Sequence, residues 1–192
     1  IGRSFPESIQ KALRSLEIGL DGFDDQTINF NKNKLNKKNI LSELKKPLAD
    51  RLLLVAQALG FGKSTKEIHK ASKIDPWFID QINRIVVAEK KLKLNGLPRN
   101  SDDLLNIKSL GFSDKKIADL CNVTESKVLS LRYKNNIRPD FKRIDTCAAE
   151  FRAMTPYMYS TYGKDNSLSN SCESNPSDKK KVIILGSGPN RI

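Results

Sequence analysis

Few residues in this chain have the types and spacing that chemistry needs. Asp102 and Asp103 stand side by side and form a nominal acid pair. They follow Ser101, and acidic residues favour the first turn of a helix, so they read as helix-start charge. His69 lies among lysines with no second ligand near it in sequence, and reads as a surface or packing residue. Cys121, Cys147 and Cys172 are far apart and show no C-x-x-C spacing, which favours neither a zinc site nor a disulfide framework. The stretch from Lys181 to Ile192 reads K-V-I-I-L-G-S-G-P-N-R-I. Val182, Ile183, Ile184 and Leu185 form a short buried-strand run, and Gly186 and Gly188 allow the tight turn that follows such a strand. Arg191 occupies the place of a third fingerprint glycine, and no Walker-type loop occurs. The turn therefore does not make a nucleotide site by itself.

The elements that would position such residues are mainly helical. The chain has 192 residues, which suits one domain or slightly more, and 38% hydrophobic residues support a modest core. No apolar run approaches the ~20 residues of a membrane span. The cysteine usage fits a reducing, soluble, cytoplasmic setting. Ile1 is not a start methionine, so the chain is expected to be a piece of a longer protein. The net charge of +12 raises nucleic acid as a partner. The lysines are spread along the chain, however. Their one cluster, Lys32, Lys34, Lys37, Lys38, Lys45 and Lys46, is interleaved with asparagines and reads as a solvated loop and a helix start.

Ser4 is a good N-cap, with Pro6 and Glu7 in the first turn and Phe5, Ile9, Leu13 and Leu16 at helical spacing; Gly19 and Gly22 are expected to close this helix. Pro47 is expected to start the next one, with Leu48, Leu52, Val55, Ala56 and Leu59 as its stripe, widened by Leu53 and Leu54. A short helix follows from Ser64 to Ser72. Asp75 then caps a long helix with Pro76 at its first position and Phe78, Ile79, Ile82, Ile85 and Val86 on one side.

An internal repeat runs through this region. Leu59-Gly60-Phe61 recurs as Leu110-Gly111-Phe112 at an offset of 51 (110 − 59). Ser64 and Ser113, Ile68 and Ile117, Ile79 and Val128 then match at an offset of 49 (113 − 64). The difference implies a two-residue loop change near Gly62 and Lys63. Asp75 and Thr124 are the matching N-caps. The expected meaning is two similar helix-turn-helix-like units, each too small to bury its own face. The same pattern allows an alternative function, a basic helix-turn-helix binding nucleic acid. Its candidate recognition helix is Thr124 to Asn136, with Ser126, Lys127, Ser130 and Lys134 outward; the first copy offers Gln81, Asn83 and Arg84. Neither helix has an aromatic or arginine-rich face, which disfavours this alternative.

After Pro139 the character changes. F-K-R-I-D-T-C-A-A-E-F is followed by Y-M-Y-S-T-Y, in which Tyr157, Tyr159 and Tyr162 suit an extended arm with one packed face. These two blocks, the later V-I-I-L-G-S-G-P-N-R-I, and the opening I-G-R-S-F-P-E-S-I-Q-K-A-L-R-S-L-E strongly resemble the large subunit of carbamoyl-phosphate synthase. Order and spacing agree across essentially the whole chain. The loop after Tyr162 and the lysine-asparagine segment at 31–39 look private to this chain.

The resemblance implies a mainly α fold: a helical oligomerisation domain over 19–160, an extended C-terminal arm, a linker at 161–179, and a truncated first strand of an α/β domain from 180 to 192. Residues 1–18 would be the tail of the first, carboxyphosphate-forming half. Residues 180–192 would begin the second, carbamoyl-phosphate-forming half. It implies a parent ligase using two ATP with magnesium or manganese, a glutamine amidotransferase small subunit as partner, and roles in arginine and pyrimidine biosynthesis. Self-association is left open. No catalytic residue, cofactor or metal is expected within the 192 residues themselves. The one functional candidate is Arg191, as a cation facing an anionic intermediate on its route between the halves; a structural arginine bonding loop carbonyls is the equal alternative.

Overall fold

A computed structural model of the chain describes residues 1–23, 37–148, 150–163 and 172–184. The fold is mainly helical, as expected, with one small sheet. Helix α1 (Phe5–Ser15) opens on Ser4, whose Oγ accepts from the Glu7 N–H at 3.3 Å. It ends before Gly19 and Gly22 are reached, because Glu17 takes a left-handed φ of 54°. Leu16, expected in the buried stripe, is 56% exposed for that reason. A short α2 (Ile40–Glu43) buries Ile40 and flanking Leu44.

Pro47 does not start the next helix. It is α3 (Arg51–Gly60), which follows Asp50, and Leu48 stays exposed ahead of it. Leu53, Leu54, Val55, Ala56, Ala58 and Leu59 are all buried, so this helix is indeed covered on more than one side. Helix α4 (Thr65–Ser72) carries a full capping box between Ser64 and Glu67, and α5 (Pro76–Asn95) is capped by the Asp75 carboxylate on the Trp77 N–H. Ile79, Ile82, Ile85 and Val86 face the core from α5, whereas Phe78 is 42% exposed beside Trp77 and Phe5. Helix α6 (Ser101–Ser109) is capped by Asn100 rather than Ser101. The second unit closes with α7 (Asp114–Cys121) and α8 (Glu125–Lys134).

The repeat is real, but its register differs from the sequence match. Phe61 and Leu110 are the C-caps of α3 and α6, and Gly62 and Gly111 follow them with φ of 82° and 96°. Ser64 and Ser113 then cap α4 and α7, left-handed Lys73 and Asn122 end them, and Asp75 and Thr124 cap α5 and α8. All these pairs share one offset of 49 (113 − 64). There is no two-residue loop change. The second Leu-Gly-Phe is displaced relative to the first: Gly60 is the last residue of α3, while Gly111 is the turn glycine. Burial agrees, since Phe112 is 1% exposed and Phe61 is 37% exposed.

One continuous core joins both units to α1 and α2. Beyond Ile137 the chain forms β1 (Asp140–Arg143) and β2 (Met158–Thr161), antiparallel, with Phe141 opposite Ser160. The Glu173 N–H donates to Phe141 O at 2.8 Å and so extends the far edge of β1. The strand expected at 182–185 is not formed where it is described. Val182, Ile183 and Ile184 are each at least 85% exposed, and no strand among the described residues pairs with them. Leu185 to Ile192 lies outside the described residues.

Candidate functional site

A polar constellation lies where α1, the second helical unit and the arm meet. Each component starts from local structure. The turn glycine Gly111 brings the end of α6 against α1 so closely that an added Cβ would stand 2.8 Å from Glu7 Cα. Two α1 side chains use this approach to satisfy carbonyls left over at the end of α6. The Gln10 amide donates to Leu110 O at 2.9 Å, and the Arg14 guanidinium donates to Gly111 O at 2.9 Å.

Behind the turn sits an ion triad. Asp114, at the first position of α7, accepts from Lys108 Nζ of α6 at 2.7 Å and from Arg132 Nη2 of α8 at 2.8 Å. Arg132 Nε also donates to Oδ1 at 3.1 Å and to Oδ2 at 2.9 Å, so the guanidinium fork reaches both carboxylate oxygens. Lys108 and Arg132 are only 4% and 8% exposed. Their remaining donors reach Phe112 O and Ile137 O, so the buried cations are well supplied with acceptors. Burial would raise the Asp114 carboxyl, but the hydrogen bonds from Arg132 and Lys108 outweigh it and hold it below its ordinary value. For Lys108 burial wins, and its ammonium is lowered despite Asp114.

The arm closes over this centre. The Tyr162 ring lies 4.9 Å from Lys108 Nζ and 5.7 Å from the Arg132 guanidinium carbon. On the other side of β2, Thr161 is buried and its Oγ1 donates to Glu7 Oε2 at 2.9 Å. Lys11 donates to Ser160 O and sits over the Tyr159 ring. The extended arm with a packed face is therefore observed, although Tyr157 itself is 67% exposed. A cleft of about 580 Å³ of mixed polar and apolar lining opens beside this contact, with Arg3, Glu7, Arg84, Asp102, Leu105 and Tyr162 among its walls.

The sequence-level candidates fall as follows. Asp102 and Asp103 are helix-start charge: Asp103 exchanges hydrogen bonds with Asn100. His69 Nδ1 meets Ile74 O at 2.8 Å and packs the turn between α4 and α5. The three cysteines are free thiols. Ser126, Lys127, Ser130 and Lys134 do face outward on α8, while Arg84 on α5 is held to Gln81 at 3.0 Å. Arg191 and the segment 24–36 lie outside the described residues. The ion triad and the Glu7–Thr161 contact were not foreseen. Asp114 stands where helix-start charge is ordinary, and only the fold brings Lys108 of α6 and Arg132 of α8 to it.

Such a molecule is a helical block with an ordered arm, built around contacts that fix geometry. The chain belongs to a known family: residues 1–136 match the model of the carbamoyl-phosphate synthetase large chain, oligomerisation domain. Similarity to the carbamoyl phosphate synthase large chain of Rhizobium meliloti is 49% identity over 193 aligned residues, covering 100% of this chain and 17% of the relative. The Brucella melitensis large chain is 47% identical over 192 residues, and that of Haemophilus ducreyi 46% identical over 193, each again spanning the whole of this chain. The chain thus spans about one sixth of the length of these relatives, 17% of the first. No nucleic-acid function comes with any of these similarities.

Proposed function

We propose that this chain is the spacer that holds two ATP-consuming synthetase halves at fixed geometry within a carbamoyl-phosphate-forming ligase. The observation that carries this reading is the family match over residues 1–136 together with whole-chain similarity to large chains. In this reading residues 1–18 end the first half, 19–160 form the oligomerisation domain, 161–179 link it onward, and 180–192 begin the second half. The parent uses bicarbonate, glutamine-derived ammonia from an amidotransferase small subunit, and two ATP with magnesium or manganese, in the cytoplasm, serving arginine and pyrimidine synthesis. Among the described residues no three of His, Cys, Asp and Glu come together as a metal site. By resemblance to the family, this reading gives the nucleotides and their metals to the flanking halves, and no step of the chemistry is routed through these residues. No helix among the described residues is long and apolar enough to cross a membrane.

What the spacer contributes is positioning. An unstable intermediate made at one site and used at another is protected when the two sites keep a fixed relation and water is excluded between them. A core shared by both helical units, with the arm bonded back onto α1, supplies stiffness of that kind. The purified 192-residue chain is expected to show no ATP turnover that magnesium chelation abolishes; such turnover would place a nucleotide site inside the spacer and reject the reading. Sedimentation over a range of concentration tests self-association of the same material. On the mixed face that ends the second unit, Leu131 is partly and Ile137 fully buried in the core, and Tyr133 is 48% exposed.

Arg191 is assigned to the route of the anionic intermediate, as a cation just inside the second half. Arg191→Ala in the full-length parent is expected to lower the yield of carbamoyl phosphate per bicarbonate-dependent ATP consumed by roughly tenfold, the effect of losing a charge-assisted contact of about 1.4 kcal/mol or more. An unchanged yield would reduce Arg191 to a loop-bracing residue.

A further inference from the structure

The Glu7 carboxylate is 2% exposed and serves three donors. Lys11 Nζ donates to Oε1 at 2.6 Å; the Arg3 N–H and Thr161 Oγ1 donate to Oε2 at 2.8 and 2.9 Å. Burying a carboxylate is costly unless its acceptor capacity is met. Two of the donors are α1's own neighbours. The third comes from β2, 154 residues away in the chain. Lys11 adds a second tie to β2 through Ser160 O, and Arg14 and Gln10 bind the same face of α1 to the α6 turn. The arm thus completes the solvation of a charge that belongs to α1, and α1 completes the packing of the arm.

We propose that Glu7 is a positioning residue at a two-way mechanical joint, through which the placement of the segment preceding α1 is coupled to that of the segment following β2. The inference rests on the reading of the chain as a spacer, in which those two segments lead into the first and second synthetase halves. Its physical basis is linkage. If the Glu7–Thr161 bond favours one arrangement of α1, the same bond favours one arrangement of the arm by an equal free energy. The joint is a short path between the two flanks, since α1 and β2 are bonded to each other directly. A flank held in its working position at one end therefore biases the other end toward its own.

The test uses the full-length parent chain carrying Thr161→Val, which removes the hydroxyl donor at nearly constant volume, and Glu7→Gln, which removes the charge. Hydrogen exchange of the 158–161 amides is expected to rise about tenfold or more in both, with the amides of α3 to α5 unchanged. The yield of carbamoyl phosphate per bicarbonate-dependent ATP consumed is expected to fall about fivefold, while bicarbonate-dependent ATP use itself holds. Unaltered exchange at the arm overturns the proposal. So does a loosened arm with an unaltered yield, because the contact then transmits nothing. Loss of protection throughout the chain in both variants assigns the bond to stability alone and also overturns it. A wild-type parent that makes no carbamoyl phosphate from bicarbonate and ATP removes the spacer reading itself, and this inference with it.

Discussion

Asp114→Ala is expected to destabilise the 192-residue chain by about 3–5 kcal/mol, the range for breaking a buried ion pair by deleting one partner. The reason is what it leaves behind. Lys108 and Arg132, 4% and 8% exposed, would face each other across a cavity with no anion between them. Both are largely removed from water, and Arg132 cannot lose its proton. Phe112 O and Ile137 O remain as acceptors but carry no charge. For a chain of this size the midpoint of thermal unfolding should fall by roughly 10 °C or more. Asp114→Asn keeps the shape and one acceptor oxygen, so a smaller loss is expected. A thermal shift of a degree or two for the alanine variant would show that α6 and α8 do not depend on the triad.

The same carboxylate sets a pH dependence. Its folded pKa lies below its ordinary value, held down by the hydrogen bonds from Arg132 and Lys108 against the opposing effect of burial. The unfolded chain then binds the proton first as pH falls. The stability this group contributes is fully present above the ordinary aspartate value of about 3.9, and it is lost as pH falls through the lower folded value. In Asp114→Asn that part of the acid limb disappears, so the variant's stability should vary less below about pH 4 than that of the unsubstituted chain.

Local signals were legible and long-range ones were not. Ser4, Ser64, Asp75 and Thr124 were readable as caps because a cap is defined by residues three or fewer positions apart. The apolar faces of α3 and α5 were readable because burial imposes its period directly. The start of α3 was misplaced because Pro47 is a permissive start signal, not a compulsory one, and the next turn of chain is used to bring Arg51 to Leu44 O and Ser72 O. The repeat was recognised but misregistered. Leu-Gly-Phe looks like a unit, yet a helix stop is set by which residue takes positive φ, and that is Gly62 in one copy and Gly111 in the other. At the arm, alternation predicted an extended segment, but nothing in Thr161 announces a buried partner on α1. Such a contact depends on how two distant elements cross. Asp114 fails to announce itself for the same reason: its two cations lie on the helices either side of its own.

The equivalence of Gly62 and Gly111 permits a controlled experiment on how α1 is held. Both follow a helix C-cap with positive φ, 82° and 96°. An alanine at either site meets the left-handed penalty of about 1–2 kcal/mol. At Gly62 nothing lies within 4 Å of the new Cβ, so that penalty is the whole expected effect. At Gly111 the Cβ would stand 2.8 Å from Glu7 Cα, 3.1 Å from Glu7 O and 3.4 Å from Gln10 Cβ. The first two are backbone atoms of α1, and no rotamer change relieves them. The helix must move away, which loosens the Gln10 bond to Leu110 O and the Arg14 bond to Gly111 O together. Those bonds are worth about 0.5–1.5 and 1.5–3 kcal/mol respectively. Gly111→Ala is therefore expected to cost about 3 kcal/mol or more in denaturant unfolding, against about 1–2 for Gly62→Ala. The difference between the two variants isolates the seating of α1 on the second unit, because the dihedral cost is common to both. Equal losses would mean that α1 yields freely at this contact, and a helix that yields freely there could not act as the fixed end of a joint with the arm.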